Sequence, residues 1–120
     1  MILIVGFGPF AENVLEINEA ITREIVERVL SVTRPRRIIL FGSAAAGGMG
    51  PDSDIDLLIL EASPGNAREE SVRIRDALRG LGYPFDVIVM AAGRFEATKE
   101  IVGGIAYPAN KYGRTIYEAA

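Results

Sequence analysis

Two aspartates separated by a single residue, Asp54 and Asp56, are the strongest chemical signal in this sequence. They open an apolar run that predicts a β-strand, and in a strand residues i and i+2 project from the same face. Two carboxylates held this close repel each other unless a positive charge lies between them. Divalent cations with oxygen ligands, above all Mg²⁺, provide that charge, so the pair predicts a metal site.

The composition excludes most other catalytic chemistries. The chain has 120 residues and contains neither histidine nor cysteine. Catalysis by Ser-His-Asp or Cys-His groups, zinc sites of the usual ligand types, disulfides and thiol redox chemistry are therefore excluded. This composition favours carboxylates with a metal ion as the catalytic groups. The length of the chain predicts one domain.

The charge and hydropathy patterns predict a cytoplasmic protein with no general affinity for nucleic acid. The net charge is −3, and 11 of the 13 basic residues are arginines, which leaves a local basic patch open. No apolar run is long enough to span a membrane. The apolar residues 1–5 lack the basic segment of a signal peptide and soon meet glycines and a proline.

Hydrophobic periodicity predicts alternating helices and strands. Apolar residues recur at helical spacing before Pro35, and a second helix begins at Asn66, which with Glu69 forms a capping box. The short apolar runs without alternation predict buried core strands. The predicted helices cover about 12–32, 66–79 and 94–102, and the predicted strands cover 37–41, 54–60, 85–90 and 115–117.

The first ten residues form a separate segment in this prediction. They comprise a short strand and a Gly/Pro turn. The whole segment is either an added edge strand of the sheet or a loosely attached extension. The Gly6-Phe7-Gly8 run lacks the third, helix-opening glycine of a phosphate loop, so we assign it no nucleotide-binding role.

The connections between the core strands predict that the polar groups converge. The connection over residues 43–53 is short for a parallel crossover, which favours antiparallel first and second core strands and places Ser43 beside Asp54. A full helix joins the second and third strands, which favours a parallel pair. Asp86, near the start of the third strand, then lies at the same sheet edge as Asp54 and Asp56, so we expect one mixed sheet and one site.

This arrangement resembles a known signature. The pair Gly42-Ser43, ten residues, the Asp54-Ile55-Asp56 motif and the later strand residue Asp86 resemble the signature of the DNA polymerase beta nucleotidyltransferase superfamily. Residues 41–58 are most similar to its minimal nucleotidyltransferases, and residues 113–118 resemble their C-terminal segment.

The resemblance covers roughly residues 17–118 and implies a fold and a domain division. The implied fold is an α/β protein of the α+β type, with a mixed β-sheet and flanking helices. Residues 1–10 are then an N-terminal extension, and residues 11–120 form the nucleotidyltransferase domain.

The resemblance also implies transfer of a nucleoside monophosphate, AMP above all, from ATP or another NTP to an acceptor, with release of pyrophosphate. Asp54 and Asp56 would bridge two Mg²⁺ ions, for which Mn²⁺ is a substitute. Asp86 would hold the catalytic metal and help deprotonate the attacking hydroxyl. Gly42 would let the backbone approach the triphosphate, and Ser43 would bind its β and γ oxygens.

The acceptor and the biological role follow from the same resemblance. Minimal members are often encoded beside a HEPN-domain protein, a ribonuclease toxin, and act as its antitoxin by adding AMP to it. An antibiotic-modifying transferase acting alone is disfavoured, because the chain has no length for a substrate domain. The nucleotide, the acceptor and homo-oligomer formation stay open.

One departure keeps a second function open. Minimal members commonly carry arginines at the positions occupied here by Ala44 and Ala46. Loss of two cations beside a triphosphate weakens nucleotide binding. The alternative is therefore a binding module that neutralises its partner by contact, with little or no catalysis, whereas the intact set of three aspartates favours an enzyme.

Overall fold

The computed structural model describes residues 2–3, 19–42 and 54–120, with the backbone alone for residues 2–3. In chain order, the elements of the described residues are β1 (Ile2–Leu3), α1 (Glu19–Leu30), β2 (Arg37–Phe41), β3 (Ile55–Glu61), α2 (Ala67–Ala77), β4 (Phe85–Ala91), α3 (Ala92–Thr98), α4 (Ala106–Tyr112) and β5 (Arg114–Glu118). None of these helices has the length and apolar character needed to cross a membrane.

The strands form one mixed sheet in the order β1-β5-β2-β3-β4. Strands β2 and β3 are antiparallel, and β3 and β4 are parallel, as the lengths of their connections predict. Strand β5 lies antiparallel to β2, and the short strand β1 adds to the outer edge of β5. The mixed sheet with flanking helices therefore confirms the predicted fold.

Local sequence explains the second helix. The Asn66 side chain accepts a hydrogen bond of 3.0 Å from the Glu69 N–H, as predicted for its capping position. The helix ends at Ala77, two residues before the predicted end, and Gly80 follows with φ of +91°, a conformation that favours glycine.

Two helical predictions are corrected. Helix α3 ends at Thr98 rather than at 102, because a turn follows in which the Ile101 N–H donates a hydrogen bond to the Thr98 carbonyl. Helix α4 was not predicted, since Pro108 interrupts its apolar pattern. Pro108 is the third residue of that helix, where a backbone N–H has no intrahelical acceptor and proline is tolerated. The part of the first predicted helix over residues 12–18 lies outside the described residues.

The sheet has two apolar faces of unequal size. The first face packs against α1 and α2, with Ile55, Leu57 and Ile59 of β3 in a large buried cluster. The second face packs against α3 and α4, with Leu58 and Leu60 in a smaller cluster around Phe95. Because strand residues alternate between faces, Asp56 lies on the second face.

One buried polar cluster lies on the first face, away from Asp56. Glu61 at the end of β3 is 7% exposed, and the Thr33 Oγ1 atom lies 2.8 Å from its Oε2 and 3.3 Å from Glu70 Oε1. Burial, followed by a hydrogen bond with the Glu70 side chain, raises the pKa of Glu61 to about 7, against the opposing effects of Thr33 and Arg73. A carboxyl–carboxyl hydrogen bond needs one proton, so the cluster favours protonated Glu61.

This cluster predicts a stability that falls as the pH rises. The pKa of Glu61 is higher in the folded chain than its ordinary 4.5, so the stabilisation is complete below about pH 4.5 and is lost as the pH passes about 7. We expect the free energy of unfolding to fall by up to about 3 kcal/mol between pH 5 and pH 8. Urea unfolding at pH 5 and at pH 8 measures this difference in the free energy of unfolding. Glu61→Gln, whose amide donates at any pH, should remove most of this difference; an unchanged difference contradicts the assignment.

Candidate active site

Three strands bring one residue each to a row across the second face. In the sheet register, Phe41 of β2 pairs with Asp56 of β3, and Asp56 pairs with Asp86 of β4. Residues paired in register project from the same face, and neighbouring strands lie about 4.8 Å apart. Phe41 is buried in the second-face cluster. The Asp56 and Asp86 carboxylates therefore project side by side from that face.

Asp54 lies at the same end of the sheet. It is exposed and directly precedes β3, two residues from Asp56. Ile55 between them is fully buried on the opposite face, and its N–H donates a 2.8 Å hydrogen bond to the Pro84 carbonyl. This bond joins the start of β3 to the segment that precedes β4. Asp54, Asp56 and Asp86 therefore lie at the same end of two neighbouring strands.

Burial and neighbouring negative charges both act on the Asp56 carboxyl. Asp56 is half-buried, whereas Asp54 and Asp86 are exposed. Burial, then the negative charges of Asp86 and Asp54, raise the pKa of the Asp56 carboxyl above its ordinary value. A divalent cation at this edge would reverse each of these effects, because it stabilises the charged form of all three groups.

Gly42 leaves the space that the Asp56 carboxylate occupies. Its φ is +76°, and a Cβ built on Gly42 would collide with the Asp56 Oδ2 atom. The family resemblance implies that this glycine lets the backbone approach a triphosphate, and that role stays a prediction; the structure adds a second requirement for glycine here. Any side chain at this position would displace a carboxylate of the candidate site.

The three carboxylates are of the type that binds an oxygen-preferring cation, but in the described part of the chain they do not form a complete ligand set. Among the described residues, no three acidic side chains approach closely enough to form a complete metal-ligand set. The donors that converge are all carboxylate oxygens, which suit Mg²⁺ or Mn²⁺. Ser43, the predicted ligand of the phosphates, lies outside the described residues, and its role stays a prediction.

A metal titration tests this site directly. We expect Mn²⁺ to broaden the backbone NMR resonances of Asp54, Asp56 and Asp86 first, because a paramagnetic ion acts over short distances. Binding should weaken as the pH falls, since the pKa of Asp56 is raised and its protonated form is a poor ligand. Asp76, an exposed acid paired with Arg79 on α2, provides the control resonance. Broadening that begins at Asp76 instead would locate the cation elsewhere.

Comparison with known protein families adds a family match. The model of a family described as a nucleotidyltransferase domain matches residues 21–106, which include β2, β3, β4 and the three aspartates. No curated protein sequence matches the chain.

Solved structures share the fold. A toxin–antitoxin complex with AMP-PNP is 18% identical, with a TM-score of 0.58 over 82% of this chain and 73% of that one. A mutant of the MntA–HpeT toxin–antitoxin has the same identity and coverages, with a TM-score of 0.55. A proposed nucleotidyltransferase from Sulfolobus solfataricus is 24% identical, with a TM-score of 0.54 over 80% of this chain and 76% of that one. At these identities the likeness shows the fold.

Proposed function

Because the chain belongs to the nucleotidyltransferase domain family, we propose that it moves AMP from ATP to a hydroxyl group of an acceptor in a Mg²⁺-dependent reaction. The observation that carries this proposal is the in-register pairing of Asp56 with Asp86, with Asp54 at the same edge. Paired carboxylates beside a glycine that leaves them room are suited to phosphoryl chemistry with a metal ion.

The carboxylates divide the work in this proposal. Asp54 and Asp56 would hold two Mg²⁺ ions, and the exposed Asp86 would help to hold the catalytic ion and accept the proton of the acceptor hydroxyl. The hydroxyl oxygen bonds to the α-phosphorus, the bond from that phosphorus to the bridging oxygen breaks, and pyrophosphate leaves. When bound, Mg²⁺ offsets the negative charge of the carboxylates and the triphosphate. Ser43 contributes contacts to the β and γ oxygens.

A protein acceptor in the cytoplasm is the proposed biological context. Two solved structures with this fold are toxin–antitoxin complexes, one of them with an ATP analogue. The sequence resemblance adds the HEPN-domain toxin as the partner encoded nearby. We therefore propose that the chain modifies such a partner and so neutralises it.

A contact antitoxin is the second candidate function. Ala44 and Ala46 replace two arginines that minimal members commonly carry beside the phosphates. A weak ATP site would leave neutralisation to binding alone. Restoring both arginines should then tighten ATP binding about tenfold, as expected for one charge-assisted hydrogen bond.

Labelling of the partner decides between the two functions. The wild-type chain is incubated with the HEPN-domain protein encoded beside it and with ATP labelled at the α-phosphate. We expect label on the partner, Mg²⁺ dependence, and loss of label with the Asp54→Asn/Asp56→Asn variant. The contact antitoxin would be established, and the enzyme overturned, by two results together: the wild-type chain neutralises the partner without labelling it, and the variant neutralises the partner equally.

A further inference from the structure

The strand that carries Asp86 leads into an apolar cavity. Within the described part of the chain β4 is an edge strand, since it is hydrogen-bonded to β3 alone. Met90 near its end lines a cavity of about 330 Å³, together with α3 and the segment that joins α3 to α4. An edge strand with free N–H and C=O groups accepts a further extended segment.

Asp86 and this cavity lie on the same face of the sheet. Asp86 and Met90 are four residues apart, so their side chains project to the same side, with the half-buried Ile88 between them. Four residues of strand span about 13 Å at roughly 3.3 Å per residue. An extended peptide beside β4 covers the same distance with about four residues of its own.

The cavity rim exposes apolar groups and a free positive charge. Ile101 is 61% exposed and Val102 is 76% exposed, and both line the cavity. Arg94 also lines it, and its guanidinium makes no hydrogen bond or ion pair with any other described residue. Apolar walls beside an unpaired cation are complementary to an apolar side chain next to a carboxylate.

We propose that β4 and this cavity form an acceptor groove, which binds an extended segment of the protein that receives the nucleotide. The segment places its hydroxyl beside Asp86 and, about four residues along, an apolar side chain in the cavity and an acidic side chain on Arg94. This inference rests on the proposed transfer to a protein. Three features favour a peptide over a small acceptor: the edge of β4 that no other described strand pairs with, the 13 Å span (about four residues) and the charge of Arg94.

Matched substitutions on opposite faces of the sheet test the groove. Val102→Asp places a charge on its exposed rim, where folding is not at risk. Val72→Asp is the control, because Val72 is also exposed and lines a cavity with an arginine, Arg73, but lies on α2. We expect Val102→Asp to raise the KM for the HEPN-domain partner about tenfold or more, with ATP binding unchanged. Val72→Asp should leave both constants unchanged.

The charge is tested in the same way. Arg94→Glu should weaken binding of the partner, whereas Arg73→Glu on the opposite face should not.

A KM that is the same for wild type and Val102→Asp overturns the groove while the transfer reaction stands. Dimerisation of the wild-type chain that Val102→Asp abolishes in sedimentation experiments would also overturn it, because a second copy would then cover the cavity.

A photo-crosslinker separates this inference from the proposed reaction. An amber-encoded benzoylphenylalanine at position 102 should capture the partner, and the same group at position 72 should not. Capture at 102 without label on the partner would support the docking surface and overturn the transfer. Capture at 72 and not at 102 would overturn the groove whether or not label is transferred.

Discussion

Asp86→Asn is expected to abolish nucleotide transfer while most ATP binding remains. Asp86 is exposed at the end of the carboxylate row, on the strand that lies at the edge of the sheet in the described part of the chain. Asparagine cannot accept the proton of the attacking hydroxyl, and loss of a general base lowers rates by about 10²- to 10⁴-fold. The neighbouring pair, Asp54 and Asp56, still holds the cation and with it the triphosphate.

The two remaining aspartates should behave differently from Asp86. Asp54→Asn or Asp56→Asn is expected to lose both metal-dependent ATP binding and transfer, because the proposed metal site then lacks one of the carboxylates that would hold it. Isothermal titration with ATP and Mg²⁺, and single-turnover labelling of the partner, separate binding from chemistry. Asp76→Asn, at an exposed acid on α2, is the control for loss of charge alone. An Asp86→Asn variant that transfers label at the wild-type rate would show that these roles are wrong.

Gly42→Ala is expected to weaken metal binding severely, although it replaces none of the three aspartates. The new Cβ would collide with Asp56 Oδ2, so the carboxylate must leave its position in the row. The backbone at φ +76° adds a cost of about 1–2 kcal/mol for any residue with a side chain. Together these effects should weaken Mn²⁺ binding severely while the fold is retained.

Gly82→Ala is the matched control for that substitution. Gly82 has φ of +90°, and a Cβ there would meet nothing within 4 Å. Both variants therefore carry the backbone cost, about 1–2 kcal/mol in urea unfolding, but only Gly42→Ala displaces a carboxylate. Equal Mn²⁺ affinities in the two variants would show that Gly42 has no part in forming the site.

Much of the fold could be predicted because its signals are local. The apolar run of β2, the apolar run that follows Asp56 and the cap at Asn66 each depend on residues adjacent in sequence. The strand directions also followed, since an eleven-residue connection favours an antiparallel pair and a helical crossover a parallel one. The meeting of Asp56 with Asp86 is a consequence of those directions.

Other features depended on contacts between distant segments. Helix α4 packs on β2, and Gly113 at its end leaves no room for a Cβ against the Ala109 carbonyl and Ile39. Glu61 continues the apolar strand β3, and only the packing of α2 over that strand places Glu70 beside it.

The sequence alone determined that Asp54, Asp56 and Asp86 lie at the same end of neighbouring strands, because strand periodicity and connection length act along the chain. Only the tertiary structure decided that Gly42 makes room for a carboxylate, that β4 is an edge strand in the described part of the chain, and that a cavity beside Arg94 lies on the same face as Asp86. These are properties of how separate strands and helices pack together, and no single stretch of sequence encodes them.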